Sequence, residues 1–300
     1  DATVSAMEAK RHHYLPQRYL SGFADPNGRI WVFDRHTGKL RRDTPLNTGV
    51  ESRLYDFVDP AGAPQSLEPF FAYLESRTWP SIDRLDREHD MSSADRAVLA
   101  FYTAFQLTRT PQFLRRIEAS ASTLLGGFVE EATDQEAVEN LLEAMSMSGM
   151  ASLPSRDSLL SFIPTIREGR AVPSWGRARF VTHIALRLSE LLAKARTDLF
   201  YAEDGLAFIT TDSPVLIVPL PGQPPTLGPG SLKFVPLTQR TLLIYAFEGD
   251  EFTMRRSDAD GVAFLNSTLA STAERLIIGS SEALVRSMSE VPGNGEFCRD

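Results

Sequence analysis

Two of the chain's five histidines stand side by side in Arg11-His-His-Tyr-Leu-Pro-Gln-Arg18. Histidine exchanges protons most readily near neutral pH, so His12 and His13 are candidate general bases or metal ligands. Adjacent side chains point in different directions, which argues against both holding one ion. The expected arrangement has one histidine facing a site and the other buttressing the fold; a packed structural role for both is the competing reading. Asp212, in Phe208-Ile-Thr-Thr-Asp-Ser-Pro214, is the second candidate. A strand ending there presents a carboxylate from rigid support, able to ligate a metal, orient a histidine or act as a base. The alternative is an Asx turn in which Asp212 caps the amides of Ser213 and Val215. Gln106 and Arg109 lie three apart on a predicted helix and share a face. Arg109 suits either a bidentate clamp on a carboxylate or phosphate, or a buried salt bridge between two layers.

The remaining histidines read as surface or loop residues: His183 on a charged helix face, His36 in a hairpin turn and His89 in an acidic loop. No G-x-G-x-x-G, Walker loop, H-E-x-x-H, G-x-S-x-G or C-x-x-C pattern occurs. Those absences weigh against nucleotide-cofactor enzymes, zincins and serine hydrolases with a nucleophile elbow. Cys298 is the single cysteine, which rules out a disulfide within the chain and a thiolate zinc site.

The elements that must position these groups follow from hydrophobic period. Pro16 opens a short helix, and Arg29–Arg35 turns through His36–Lys39 into an antiparallel return over Leu40–Thr44. Leu54–Val58 reads as a further strand. Glu68–Asp86 reads as helix, with Pro80 expected to break or kink it. Ser92 and Asp95 form a capping box ahead of the next helix, which ends near Pro111. Helices are expected over Thr133–Met145, over Leu159–Ile166 with an interruption at Pro164, and, most clearly, over Arg179–Lys194. Leu206–Thr210, Val215–Val218, Ser231–Val235 and Thr241–Phe247 read as strands. Pro219–Gly230 is an irregular loop and a candidate active-site flap. Val262–Ile278 returns to helix and closes on a strand-like Leu276-Ile-Ile. The fold class is therefore α+β, a single unit with strand-rich ends forming mixed or antiparallel sheet around a helical centre. The expected layout is a flexible segment over 1–11, one domain over 12–285 with its helical part near 66–196, and a tail over 286–300.

With 31 basic and 39 acidic residues, the chain's formal charge is −8, a poor match to nonspecific nucleic-acid binding. Residues 1–50 carry 8 basic and 5 acidic groups and residues 151–200 carry 8 and 4; scattered surface arginine is the favoured reading, and one anion-binding surface the alternative if the fold joins the two regions. The longest oily stretch, Pro214–Pro221, is too short to span a bilayer, and a cytoplasmic location is the default expectation.

The chain also resembles domain-of-unknown-function family 4238, an uncharacterised bacterial family. The matching features are His12-His-Tyr-Leu-Pro-Gln-Arg-Tyr-Leu-Ser-Gly-Phe23, Ile30-Trp-Val-Phe-Asp-Arg35, Gln106-Leu-Thr-Arg-Thr-Pro111 and Phe208-Ile-Thr-Thr-Asp-Ser-Pro-Val215. A late Asn266 and Arg275-Leu-Ile-Ile complete the pattern. The family pattern carries asparagine after the aspartate, where this chain has Ser213. The resemblance implies fold boundaries and a shortlist of site residues, and names no reaction.

The leading expectation is a hydrolase, in particular a metal-dependent phosphodiesterase or nuclease. His12 or His13 would serve as base or ligand, Asp212 as ligand or orienter, and Arg109 as anion clamp, with Gln17, Gln106 and Asn266 positioning. His13 and Asp212 are the candidate ligands of a divalent metal, and a phosphate-containing or other anionic molecule is the candidate ligand. The rival is a noncatalytic protein- or ligand-binding module in which the same groups are buried and bonded to one another; a small-molecule transferase ranks third.

Overall fold

The computed structural model describes residues 11–59, 62–88, 90–129, 131–147, 155–168, 174–247 and 252–293. Residues 1–10 of the expected flexible segment, residues 294–300 of the expected tail, His89 and Cys298 lie outside them. In chain order the strands are β1 (Arg11–His13), β2 (Ile30–Asp34), β3 (Lys39–Asp43), β4 (Val50–Ser52), β5 (Asp56–Val58), β6 (Pro64–Ser66), β7 (Arg196–Ala202), β8 (Thr210–Thr211), β9 (Leu216–Pro219), β10 (Ser231–Pro236), β11 (Thr241–Ala246), β12 (Thr253–Ser257) and β13 (Leu276–Gly279). The helices are α1 (Gln17–Ser21), α2 (Glu68–Glu88), α3 (Ser93–Thr108), α4 (Pro111–Val129), α5 (Asp134–Met147), α6 (Arg156–Arg167), α7 (Ser174–Lys194), α8 (Ala259–Ser271) and α9 (Glu282–Ser289). Strand-rich ends around a helical middle make the fold α+β.

The described residues fall into two compact units, one drawn from 1–55, 66–110 and 182–300, the other from 56–65 and 111–181. In the first unit five strands form a sheet in the order β12-β7-β11-β10-β9, antiparallel except for β12 on β7. Alternation sends Leu242 and Ile244 to one face and Tyr245 to the other. The first face buries Leu216, Phe234, Leu242 and Ile244 with Val262, Leu265 and Leu269 of α8. On the other, the Tyr245 hydroxyl lies 3.4 Å from Thr103 of α3. A second, antiparallel sheet runs β3-β2-β13-β8, and Ile277 of β13 joins the same apolar cluster. β1 pairs with β4, so both candidate histidines sit on a strand.

The second unit packs α4, α5 and α6 around Val129, Val138, Leu141, Leu159 and Ile163. Arg167 fastens that cluster through the carbonyls of Val129 and Ala132 and an ion pair to Asp134.

Several elements differ from the sequence reading. α2 runs unbroken through Pro80, because Trp79, Ile82 and Leu85 around it are core residues whose burial outweighs one missing N–H. α6 likewise contains Pro164. β7 has no predicted counterpart: it is buried on both faces and carries Thr197 and Asp198, so it shows neither alternation nor an apolar run. β12 is an exposed edge strand with the same lack of signal. Of the expected strand at 206–210 only Thr210 pairs in a sheet, as the first residue of β8. The amides before it are taken elsewhere, Phe208 by the Gln239 carbonyl and Ile209 by the Asn266 side chain. α9 occupies part of the expected tail, capped by Ser281. The capping box at Ser92 and Asp95 is present as expected.

Candidate functional site

The sequence candidates, all in the first unit, gather in two places. The first is built around Arg109, which follows α3 and is 2% exposed. Its Nη1 pairs with Glu75 Oε1 of α2 at 2.7 Å, its Nη2 donates to the His13 carbonyl at 2.5 Å, and its Nε points at the Tyr55 hydroxyl at 3.4 Å. The Tyr55 hydroxyl in turn donates to the Arg109 carbonyl at 2.8 Å. Phe71 lies under the guanidinium at 4.3 Å from its ring centre. Burial disfavours the charge, but Tyr55 and Glu75 more than offset it and hold Arg109 protonated. This is the buried salt bridge that the sequence offered as the alternative to an anion clamp.

His12, 2% exposed, stacks on Tyr55 with the rings 4° from parallel and 5.6 Å apart. Its Nδ1 accepts the Tyr55 amide at 3.0 Å, so the basic lone pair of the neutral ring is spent on backbone. His13 is half-buried, with Nε2 3.2 Å from the Leu46 carbonyl. Donating there leaves the lone pair on Nδ1, and burial lowers the ring's pKa, with smaller contributions of both signs from neighbours. Of the two, His13 is the one whose environment keeps a neutral base. Gln106, one turn before Arg109, donates to the Tyr102 hydroxyl at 2.8 Å. Gln17 is exposed on α1.

The second place is the end of β8. The Asp212 carboxylate accepts the amides of Glu274 at 3.2 Å and Arg275 at 2.8 Å, rather than those of Ser213 and Val215. In place of the Asx turn offered as the alternative reading, the carboxylate clamps a segment about sixty residues away in the chain. That segment reaches it because β13 pairs with β8, and no local pattern encodes this. Burial pushes the Asp212 carboxyl up from 3.8 to about 6. Arg275 extends the cluster by placing Nε and Nη2 at 3.0 and 2.7 Å from Asp34 Oδ2 on β2. Asn266 of α8 is 1% exposed; it accepts the Ile209 amide and donates to the Ala207 carbonyl, both at 2.9 Å.

Tyr14 feels groups of both places, Asp212 and Arg275 of the second and Tyr55 of the first. It follows His13 in the chain, and burial, then the charge of Asp212, pushes its phenol above the ordinary range. The residues that the sequence marks for chemistry do not include Tyr14, Tyr55, Glu75, Asp34 or Arg275. Tyr14, Asp34 and Arg275 stand inside the quoted motifs, whereas Tyr55 and Glu75 leave no local signal. Among the described residues, no group of three or more His, Cys, Asp and Glu side chains is placed to hold a metal ion. The Pro219–Gly230 loop joins β9 to β10, and buried Lys233 fastens it through the Gly228 carbonyl at 2.7 Å. No described helix is long and apolar enough to cross a membrane.

The model of a family described as "Protein of unknown function (DUF4238)" matches residues 11–283. No curated protein and no solved structure matches the chain.

Proposed function

The chain belongs to the DUF4238 family, whose description assigns no activity, and on that premise we propose a noncatalytic protein- or ligand-binding module whose polar motifs hold its fold together. The observation that carries this reading is the setting of Arg109. Its guanidinium is buried and directed at a backbone carbonyl, a carboxylate and a phenol of the same chain, so it is spent on architecture. Asn266 and Asp212 follow the same pattern, each bonding backbone of a distant segment.

One observation favours the hydrolase reading. A carboxyl that titrates near 6 beside a phenol, as Asp212 does near Tyr14, suits general acid–base catalysis. On that reading a divalent metal and a phosphodiester or other anionic substrate complete the site, with His13 as base.

The test is turnover of phosphodiester and phosphomonoester substrates with magnesium, manganese or zinc, beside thermal melts of Asn266→Ala and Asp212→Asn. The binding-module reading expects no turnover by the native protein and a lowered melting temperature for Asn266→Ala. Metal-dependent turnover that disappears in a folded Asp212→Asn variant would overturn it in favour of hydrolysis.

A further inference from the structure

Helices α2 and α3 meet along a polar seam. Glu75 and Trp79 lie one turn apart on α2, Tyr102 and Gln106 one turn apart on α3, and the Glu75–Arg109 ion pair closes one end. The Trp79 and Tyr102 rings pack edge to face at 6.3 Å, and the Gln106 amide donates to the Tyr102 hydroxyl at 2.8 Å. Two polar atoms in this seam are left over. The indole N–H of Trp79 and Oε1 of Gln106 are both buried without a hydrogen-bond partner, on side chains 5% and 1% exposed. Exchanging the amide's nitrogen and oxygen does not help, since one of its polar atoms stays bare in either orientation. The proton of the Tyr102 hydroxyl also meets no acceptor among the described residues.

An indole N–H is a donor only, and a buried donor and a buried acceptor that cannot reach each other are each costly. The Trp79 ring packs on the Tyr102 ring and the Gln106 amide bonds the Tyr102 hydroxyl, so a single small group beside that phenol, able to accept and donate at once, would satisfy all three. We propose that the α2–α3 seam is a binding site for one water molecule, which accepts from Trp79 Nε1 and the Tyr102 hydroxyl and donates to Gln106. Buried waters make two to four such bonds. A bare ion cannot serve, because the site presents both donors and an acceptor. Glu75, whose side chain is 22% exposed, is where the seam reaches solvent and the water exchanges.

The test replaces Trp79 alone with benzothienylalanine, which keeps the bicyclic shape and exchanges N–H for sulfur. The expected result is a melting temperature lower by about 2–5 °C, because the bound water loses a donor. Gln106→Met also lowers it, and the double variant loses less than the sum, since both changes act on one water. A high-resolution crystal structure should show one isolated density peak within about 3.2 Å of both side chains. An unchanged or raised melting temperature at position 79 overturns the proposal, because removing an uncompensated donor costs nothing. Strictly additive losses overturn it too, as does a seam without density, and extended density would replace water by an organic occupant.

Discussion

The carbonyl oxygen of His13 lies 2.5 Å from Nη2 of Arg109, so two motifs 96 residues apart meet through backbone, not through the ends that could do chemistry. Arg109 thereby fastens β1 to the end of α3, and Glu75 neutralises it from α2.

Removing that guanidinium strands a buried carbonyl, a carboxylate and a phenol. Arg109→Met should destabilise the protein by about 3–5 kcal/mol, toward the lower end because Glu75 keeps some contact with water. Arg109→Lys should recover only part of this, since one ammonium cannot reach three partners set at fixed angles. Urea unfolding measures both, and a methionine variant as stable as the native protein would show that the network contributes nothing.

Asp212 makes a pH prediction of definite sign. Its folded pKa of about 6 lies above its ordinary 3.8, so between these values the folded chain holds a proton the unfolded chain has lost. Its contribution is greatest below about pH 4 and falls as pH rises through about 6, by about 2–4 kcal/mol. Asp212→Asn cannot ionise and should flatten that slope in urea midpoints taken from pH 4 to 7; identical slopes would refute the assignment. Asp95 acts in a separate window. Burial opposes its charge, but hydrogen bonds from Ser81, Ser92 and Arg84 win and hold it near 2. Its stabilisation is present above 3.8 and disappears as pH falls through about 2.

Gly49 has φ of +67°, and a Cβ there would stand 2.6 Å from the Leu15 Cβ. Its carbonyl also accepts the amides of Tyr14 and Leu15. Gly49→Ala should therefore cost about 2 kcal/mol or more, from backbone strain and overlap together. Gly38→Ala has a similar φ of +65° with nothing nearby, and should cost only about 1 kcal/mol. Equal losses in the two melting curves would mean that Leu15 moves aside freely.

Asn266→Ala removes an acceptor and a donor that hold residues 207–209 against α8. Two buried backbone groups left bare cost about 2–4 kcal/mol. Hydrogen exchange localises the effect: the Ile209 amide should lose protection ahead of the sheet amides of β11. Asn266→Asp should not rescue, because it loses the donor to Ala207 and buries a charge.

Much of the fold is legible where burial follows a period. The β2–β3 hairpin, the capping box before α3 and the strand-forming apolar runs of β9, β10 and β11 all announce themselves through local pattern and turn chemistry. β7 opens on Arg196, Thr197 and Asp198 before any apolar residue, and β12 is exposed along most of its length, so neither leaves a readable pattern. Pro80 illustrates the opposite failure: it does not break α2, where Trp79 and Ile82 beside it are core residues.

For the candidate site, the sequence by itself determined which residues carry unusual chemistry: a histidine pair, a carboxylate beside a proline, and an arginine after a helix. Tertiary structure alone decided what those groups touch. Hydrogen bonding acts over about 3 Å in space and is blind to chain separation. Arg109 could thus meet Glu75, and Asp212 the amides of Glu274 and Arg275, only after β13 had paired with β8 and α2 had packed on α3.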